Sequence, residues 1–332
     1  MADKSIKTNL LSYFPQEKIS LSIHDILLRL PEAVPTRTLR RWLYEEVEKG
    51  NLVRFGQKRG TRYQLNQSTK PVRFAFLNTL PEEKQSSVLK QLRDLWTHSS
   101  TALEGNTLTL GDTHFVLEEG LTISGKPIKD HQEIIGHASA IEILYQLLDK
   151  KLTPEDCFSL HKAVQTEIIY DIDKPNGAWK VRPNGTYTVT AEEKPVYLEY
   201  ALPQHVAQLM EEVIDYINSE AAAKIKLKEA HICYAKCHAA IVHIHPFWDG
   251  NGRIARLLSN IPLLKSGLPP IVISKEKRRE YIQILADYEL SVGQLNNKTG
   301  VWPNPKLLTD FESFCQQCFK ETISILDVSK NQ

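Results

Sequence analysis

Residues 245–256 read His-Pro-Phe-Trp-Asp-Gly-Asn-Gly-Arg-Ile-Ala-Arg. These positions hold a base, a carboxylate, a Gly-Asn-Gly turn and two arginines three apart, and each part belongs to phosphate chemistry. His245 can take a proton near neutral pH. Asp249 suits a magnesium ion that bridges phosphate oxygens. The backbone N–H groups of Gly250, Asn251 and Gly252, backed by a helix N-terminus, form an anion nest, because glycine lets the main chain approach an oxygen closely. Arg253 and Arg256 fall on one helical face and can fork onto further oxygens. Phe247 is expected to fill the core beneath the loop. A bare helix–turn–helix connection would account for the glycines but not for the histidine, the acid and both arginines.

Such side chains need rigid supports on both sides. An apolar helix over residues 229–244 runs up to His245, and Pro246 ends it, since proline disfavours helix in the residue before it. The loop 247–252 feeds a second helix through Arg253. From residue 81 onward the chain is mostly helical in pattern. Residues 181–200 are the exception: Val, Tyr and Thr gather around Asn184-Gly185, which reads as a hairpin or flap. Residues 67–80 read as a linker, and residues 276–332 as a helical extension.

The segment 245–256 resembles the Fic family, matching its signature H-x-F-x-[DE]-G-N-G-R-x-x-R at every defined position. The resemblance extends over about residues 80–275 and implies a mainly α fold: a helical Fic domain at 81–275 with a small β-hairpin flap. Family members typically move AMP from ATP to a hydroxyl of a target protein. The resemblance makes His245 the general base for a Ser, Thr or Tyr hydroxyl, of a target or of the chain itself. It makes Asp249 the Mg²⁺ ligand and Gly250, Asn251 and Gly252 the cradle of the α- and β-phosphates. Arg253 and Arg256 would hold the terminal phosphate, and the flap would hold the target segment by strand pairing. Upstream, "SSTALEGN" at 99–106 resembles the family's inhibitory motif [ST]-x-x-x-E-[GN], on a helix at about 84–104. There Ser100 and Glu104 would share one helical face, and Glu104 would pair with Arg256 and spoil the seat of the ATP γ-phosphate.

The first 70 residues contain 13 Lys/Arg against 7 Asp/Glu, a balance of +6 in a chain whose net charge is +1. A helix at residues 20–30, a second at 35–49, and strand-like runs "NLVRF" and "TRYQL" around "GQKRG" resemble a winged helix-turn-helix. This makes residues 1–66 a small α+β domain. DNA is one partner for residues 20–65, with Arg37, Arg40, Arg41 and Tyr44 facing base edges and Lys58, Arg59 and Arg62 meeting phosphates. Protein contact or homodimerisation is the other.

The remaining features are plainer. Cys315 and Cys318 sit on an apolar helical stripe and are expected in the core rather than on a metal. His238 is expected to be buried and hydrogen-bonded. No apolar run is long enough to span a membrane. A polar N-terminus and five sparse cysteines point to the cytoplasm. Two rivals share the same motifs: a DNA-binding regulator whose Fic site senses nucleotide, and a Fic enzyme that uses another nucleotide or removes AMP.

Overall fold

The computed structural model describes residues 6–7, 10–15, 19–48, 52–56, 60–65, 74–78, 80–166, 171–189, 194–219 and 222–331. Contacts divide the chain into residues 1–72 and 73–332.

In the first unit Ser22 starts a short α-helix. Its hydroxyl accepts from the Asp25 N–H while Asp25 accepts from the Ser22 N–H, a reciprocal capping box. This shortens the expected helix at 20–30 to α1, Ile23–Leu27, and leaves Leu21–Ser22 free to pair as β1. Helix α2, Thr36–Glu48, follows, then β2, Leu52–Phe55, and β3, Arg62–Leu65. The antiparallel sheet has the order β1-β3-β2, with Tyr63 opposite both Leu21 and Arg54. Ile26, Leu39, Trp42, Leu43 and Leu52 close its core. Arg37, Arg40, Arg41 and Tyr44 are exposed on α2. Arg62, expected to be free for phosphate, donates to Ser20 O at 3.1 Å. Lys58 and Arg59 lie outside the described residues.

The second unit is helical. Its elements are α3 (Glu82–Leu103), α4 (Leu110–Glu119), α5 (Ile128–Leu147), α6 (Pro154–Val164), β4 (Gly185–Val189), β5 (Pro195–Glu199), α7 (Pro203–Asn218), α8 (Ala230–Ile244), α9 (Asn251–Leu258), α10 (Ile261–Lys265), α11 (Arg278–Val292) and α12 (Thr309–Asn331). Thr109 and Thr153 each start a helix with a capping box, to Asp112 and Asp156. Helix α8 is apolar nearly all round and therefore runs through the centre. Phe311 and Phe314 of α12 join its core, so the stretch read as an extension packs into the same body through α12. Each such side chain contributes about 2 kcal/mol of burial. Leu77 and Leu80, inside the stretch read as a linker, are buried against Val88 and Leu326. All five cysteines are buried and free, as packing residues would be.

The flap is an antiparallel pair with Tyr187 opposite Tyr197. Asn184-Gly185 opens its first strand instead of making its turn, because the Asn184 side chain is tied elsewhere: its amide donates to Phe247 O at 3.0 Å. No described helix is long and apolar enough to cross a membrane.

Candidate active site

Helix α8 ends at His245, whose backbone is left-handed at φ 52°, ψ 61°. The turn carries the chain into a loop that Asn251 braces from within. Its Oδ1 accepts from the Phe247 N–H at 2.8 Å, and its Nδ2 donates to Phe247 O at 2.9 Å. Thus the Asn251 side chain shapes the loop, and only its backbone faces the nest. Phe247 is buried as expected, stacked on His161 with ring centroids 4.0 Å apart. Gly250 takes φ 75°, which glycine adopts without strain, and starts α9 with no side-chain cap. The first N–H groups of α9 are therefore left for an anion.

His245 Nδ1 lies 3.2 Å from Val242 O. Only an N–H satisfies a carbonyl there, so Nδ1 carries the proton and Nε2 the lone pair. Burial first, and then the Lys180 charge, push the imidazole down to about 3, so it stays neutral at neutral pH. The ring lies flat on Tyr200, 3.8 Å away at 3°.

The two arginines differ. Arg253 donates to Val164 O at 3.2 Å and to Gln165 Oε1 at 3.4 Å, while its buried Nε has no partner among the described residues. Asp249 is more than half exposed, 3.6 Å from the same guanidinium. Arg256 is fully committed: it donates to Ser100 Oγ and O at 3.0 and 2.9 Å, to Glu104 Oε1 at 2.6 Å and to Tyr281 Oη at 3.3 Å. Burial disfavours its charge, but Glu104 and Tyr281 outweigh that and hold the group above its usual range. The Arg256 guanidinium, expected to hold a terminal phosphate, is thus paired with Ser100 and Glu104. Glu104 is the residue capping α3 rather than part of its last turn, since the helix ends at Leu103. A Cβ on Gly252 would come within 2.7 Å of Glu104 Oε1, so the carboxylate also lies against the start of α9.

Several supporting residues carry no motif. His161 accepts the Gly177 N–H at Nδ1, 2.9 Å, which leaves Nε2–H to donate to Asp249 O at 3.0 Å. Burial pushes it down to about 4. His238 is buried, with Nε2 3.2 Å from Tyr281 Oη, as expected. Lone histidines on apolar helices give no sequence signal that separates such roles from packing. Among the described residues no three His, Cys, Asp or Glu side chains gather as a metal site.

A helical domain with a histidine-led glycine loop and a neighbouring flap is the Fic type of fold. Residues 151–263 match the Fic/DOC family. Protein adenylyltransferase fic-1 of Caenorhabditis elegans is 34% identical over 198 residues, 58% of this chain and 36% of that protein. Protein adenylyltransferase Fic of Drosophila willistoni is 32% identical over 231 residues, 69% of this chain and 40% of that protein. A Fic domain containing signaling protein from Bacteroides thetaiotaomicron has a crystal structure that aligns with a TM-score of 0.67 at 28% identity, covering 78% of this chain and 94% of that one. The chain is a Fic/DOC family protein whose Fic domain is homologous to protein adenylyltransferases. It spans well under half the length of those two curated relatives.

Proposed function

We propose that this chain transfers AMP from ATP to a Ser, Thr or Tyr hydroxyl of a protein, and that Glu104 restrains it. His245 supports the transfer most directly, being a neutral imidazole with a free Nε2 lone pair beside an uncapped glycine nest. The acceptor proton passes to Nε2 as its oxygen bonds to the α-phosphorus; the bond from that phosphorus to the bridging oxygen breaks, and pyrophosphate leaves. The nest N–H groups hold the α- and β-phosphates, and the open Arg253 Nε takes a further oxygen. Asp249 would hold Mg²⁺, which neutralises phosphate charge when bound.

Restraint is supported by the pair at Arg256. Glu104 and a γ-phosphate are both anions that need the same guanidinium, and in a partly dry site they repel. Glu104→Gly removes the competitor and leaves every group of the transfer in place. Labelling of protein by α-³²P ATP should rise well above wild type in Glu104→Gly, and Arg256→Ala should not copy it. Equal labelling across ATP concentrations with Mg²⁺ and Mn²⁺ would count against the restraint, and no labelling by any nucleotide would count against the transfer. Parallel reactions with other labelled nucleotide triphosphates and with AMP-modified protein distinguish UMP transfer and AMP removal.

The exposed arginines of α2 support a second activity, duplex binding by the N-terminal unit.

A further inference from the structure

His245 is one of two non-glycine residues with positive φ among those described, the other being Phe74. A left-handed histidine costs on the order of 1 kcal/mol or more and persists only where its surroundings hold it. Here the holding comes from one residue outside the signature. The Lys180 backbone N–H donates to Pro246 O at 2.8 Å, and its Nζ donates to Ile244 O at 3.3 Å. Those are the carbonyls on either side of His245. The same Nζ donates to Asn184 Oδ1 at 2.6 Å, and the Asn184 amide reaches on to Phe247 O. It also sits 5.9 Å from the centre of the Tyr200 ring on which the imidazole lies. Lys180 is only 2% exposed, an unusual place for an ammonium group.

We propose that Lys180 is the positioning residue of His245, clamping the left-handed turn from both sides and setting its ammonium group beside the imidazole. The inference rests on His245 acting as the base. An ammonium group there works with burial against a proton on the ring, so the clamp leaves a mark on the His245 titration. The charge balance around the ring supports this. Burial, then Lys180, lower His245, while Val242 O and Asp249 oppose them. Burial brings Lys180 itself down to about 7, and Glu199 at the end of the flap opposes that. Tyr200, the remaining titratable group against the ring, is held above its usual range by burial and Glu289, so it stays neutral. His243, the next histidine on α8, faces Tyr288 instead.

The test uses the full chain carrying Glu104→Gly, with Lys180→Met and Lys180→Arg added separately. His245 is followed by NMR of labelled imidazole as pH falls, and transfer is followed as kcat and KM over the same range. Lys180→Met should raise the His245 pKa by on the order of one unit and move the acid limb of kcat to higher pH with it. It should lower kcat by about tenfold or more while KM for ATP changes little. Lys180→Arg should restore the titration and most of the rate. Where circular dichroism shows Lys180→Met unfolded, Lys180→Gln, which keeps a hydrogen-bonding side chain without the charge, takes its place. A neutral variant with an unmoved His245 titration and an unmoved acid limb would overturn the role of Lys180. If the Glu104→Gly parent labels nothing, the transfer reading fails alone, and the NMR titration still decides whether Lys180 acts on the ring.

Discussion

At His245 the Nδ1 proton is spent on Val242 O and the ring lies flat on Tyr200, so Nε2 carries the one lone pair left. Transfer that depends on this lone pair should fall by roughly 10²-fold or more in His245→Ala, with ATP affinity by calorimetry little changed. The measurement belongs in the Glu104→Gly background, where the proposed restraint is removed and the parent signal is expected to be large enough for a ratio. Near-parental transfer there would remove His245 from the mechanism. Arg256 teaches the opposite lesson at the same scale. Its side chain has the chemistry of a phosphate ligand, yet every nitrogen is already bonded to α3, Glu104 or Tyr281. Chemistry at one residue is therefore set by which neighbour reaches it first.

Between elements, His161 of α6 joins the loop that carries Asp249 to the segment leading into the flap. It does so with two hydrogen bonds and a stack on Phe247. Replacing it by Ala leaves the Asp249 carbonyl and the Gly177 N–H unpaired and removes the ring beneath the loop. Second-layer changes of this kind cost about 10- to 100-fold in activity. The expected result for His161→Ala is a loss in that range under Glu104→Gly, with α-helical content by circular dichroism preserved. Unchanged kinetics would show that the loop holds its shape through Asn251 alone. The flap offers another contrast. Tyr187 and Tyr197 meet across its strands 5.1 Å apart at a tilt of 58°, with Tyr187 79% exposed, so the pair is held by the register of β4 and β5 and not by the core.

Over the whole molecule, burial of neutral histidines couples stability to pH. His161 and His243 are lowered to about 4 and His245 to about 3, with burial the first cause each time, while His137 and His238 lie well below their ordinary value. Unfolded, each takes a proton near 6.5, so the unfolded chain binds more protons below that pH. This contribution is complete above 6.5 and is lost as pH falls toward 4. Glu289, raised to about 8 by burial, acts in the other direction as pH rises from 4.5, but it is one group against five. Urea unfolding at about pH 5 should therefore show a stability lower by on the order of a few kcal/mol than at pH 7. Equal stabilities would mean that these histidines are hydrated in solution. The N-terminal unit makes a separate prediction. Duplex binding through Arg37, Arg40 and Arg41 should weaken steeply with salt in an anisotropy titration. Absence of any salt-sensitive binding would leave protein contact as the role of that face.

The sequence by itself determined the loop at 245–252, since its parts are contiguous: a proline that ends α8, glycines that turn, and side chains at fixed helical spacing behind them. It also determined the helical class and the existence of the flap, which follow from periodicity and β-branched and aromatic content. The pairing of Glu104 with Arg256 was legible through the resemblance of the short motif at 99–106, although the Ser100 bonds to Arg256 and the end of α3 at Leu103 were not. Tertiary structure decided the rest. Lys180 lies in "GAWK" and His161 on an apolar stripe, and neither position signals chemistry along the chain. The same holds for the boundary near residue 72, where Leu77 and Leu80 pack inward, and for α12, which closes the core of α8. The physical reason is one of range. Backbone preferences and helical spacing act over a few residues, whereas the charge, burial and hydrogen bonding that tune His245 come from side chains brought together across 64 positions of sequence, as in the bond from Lys180 to Ile244.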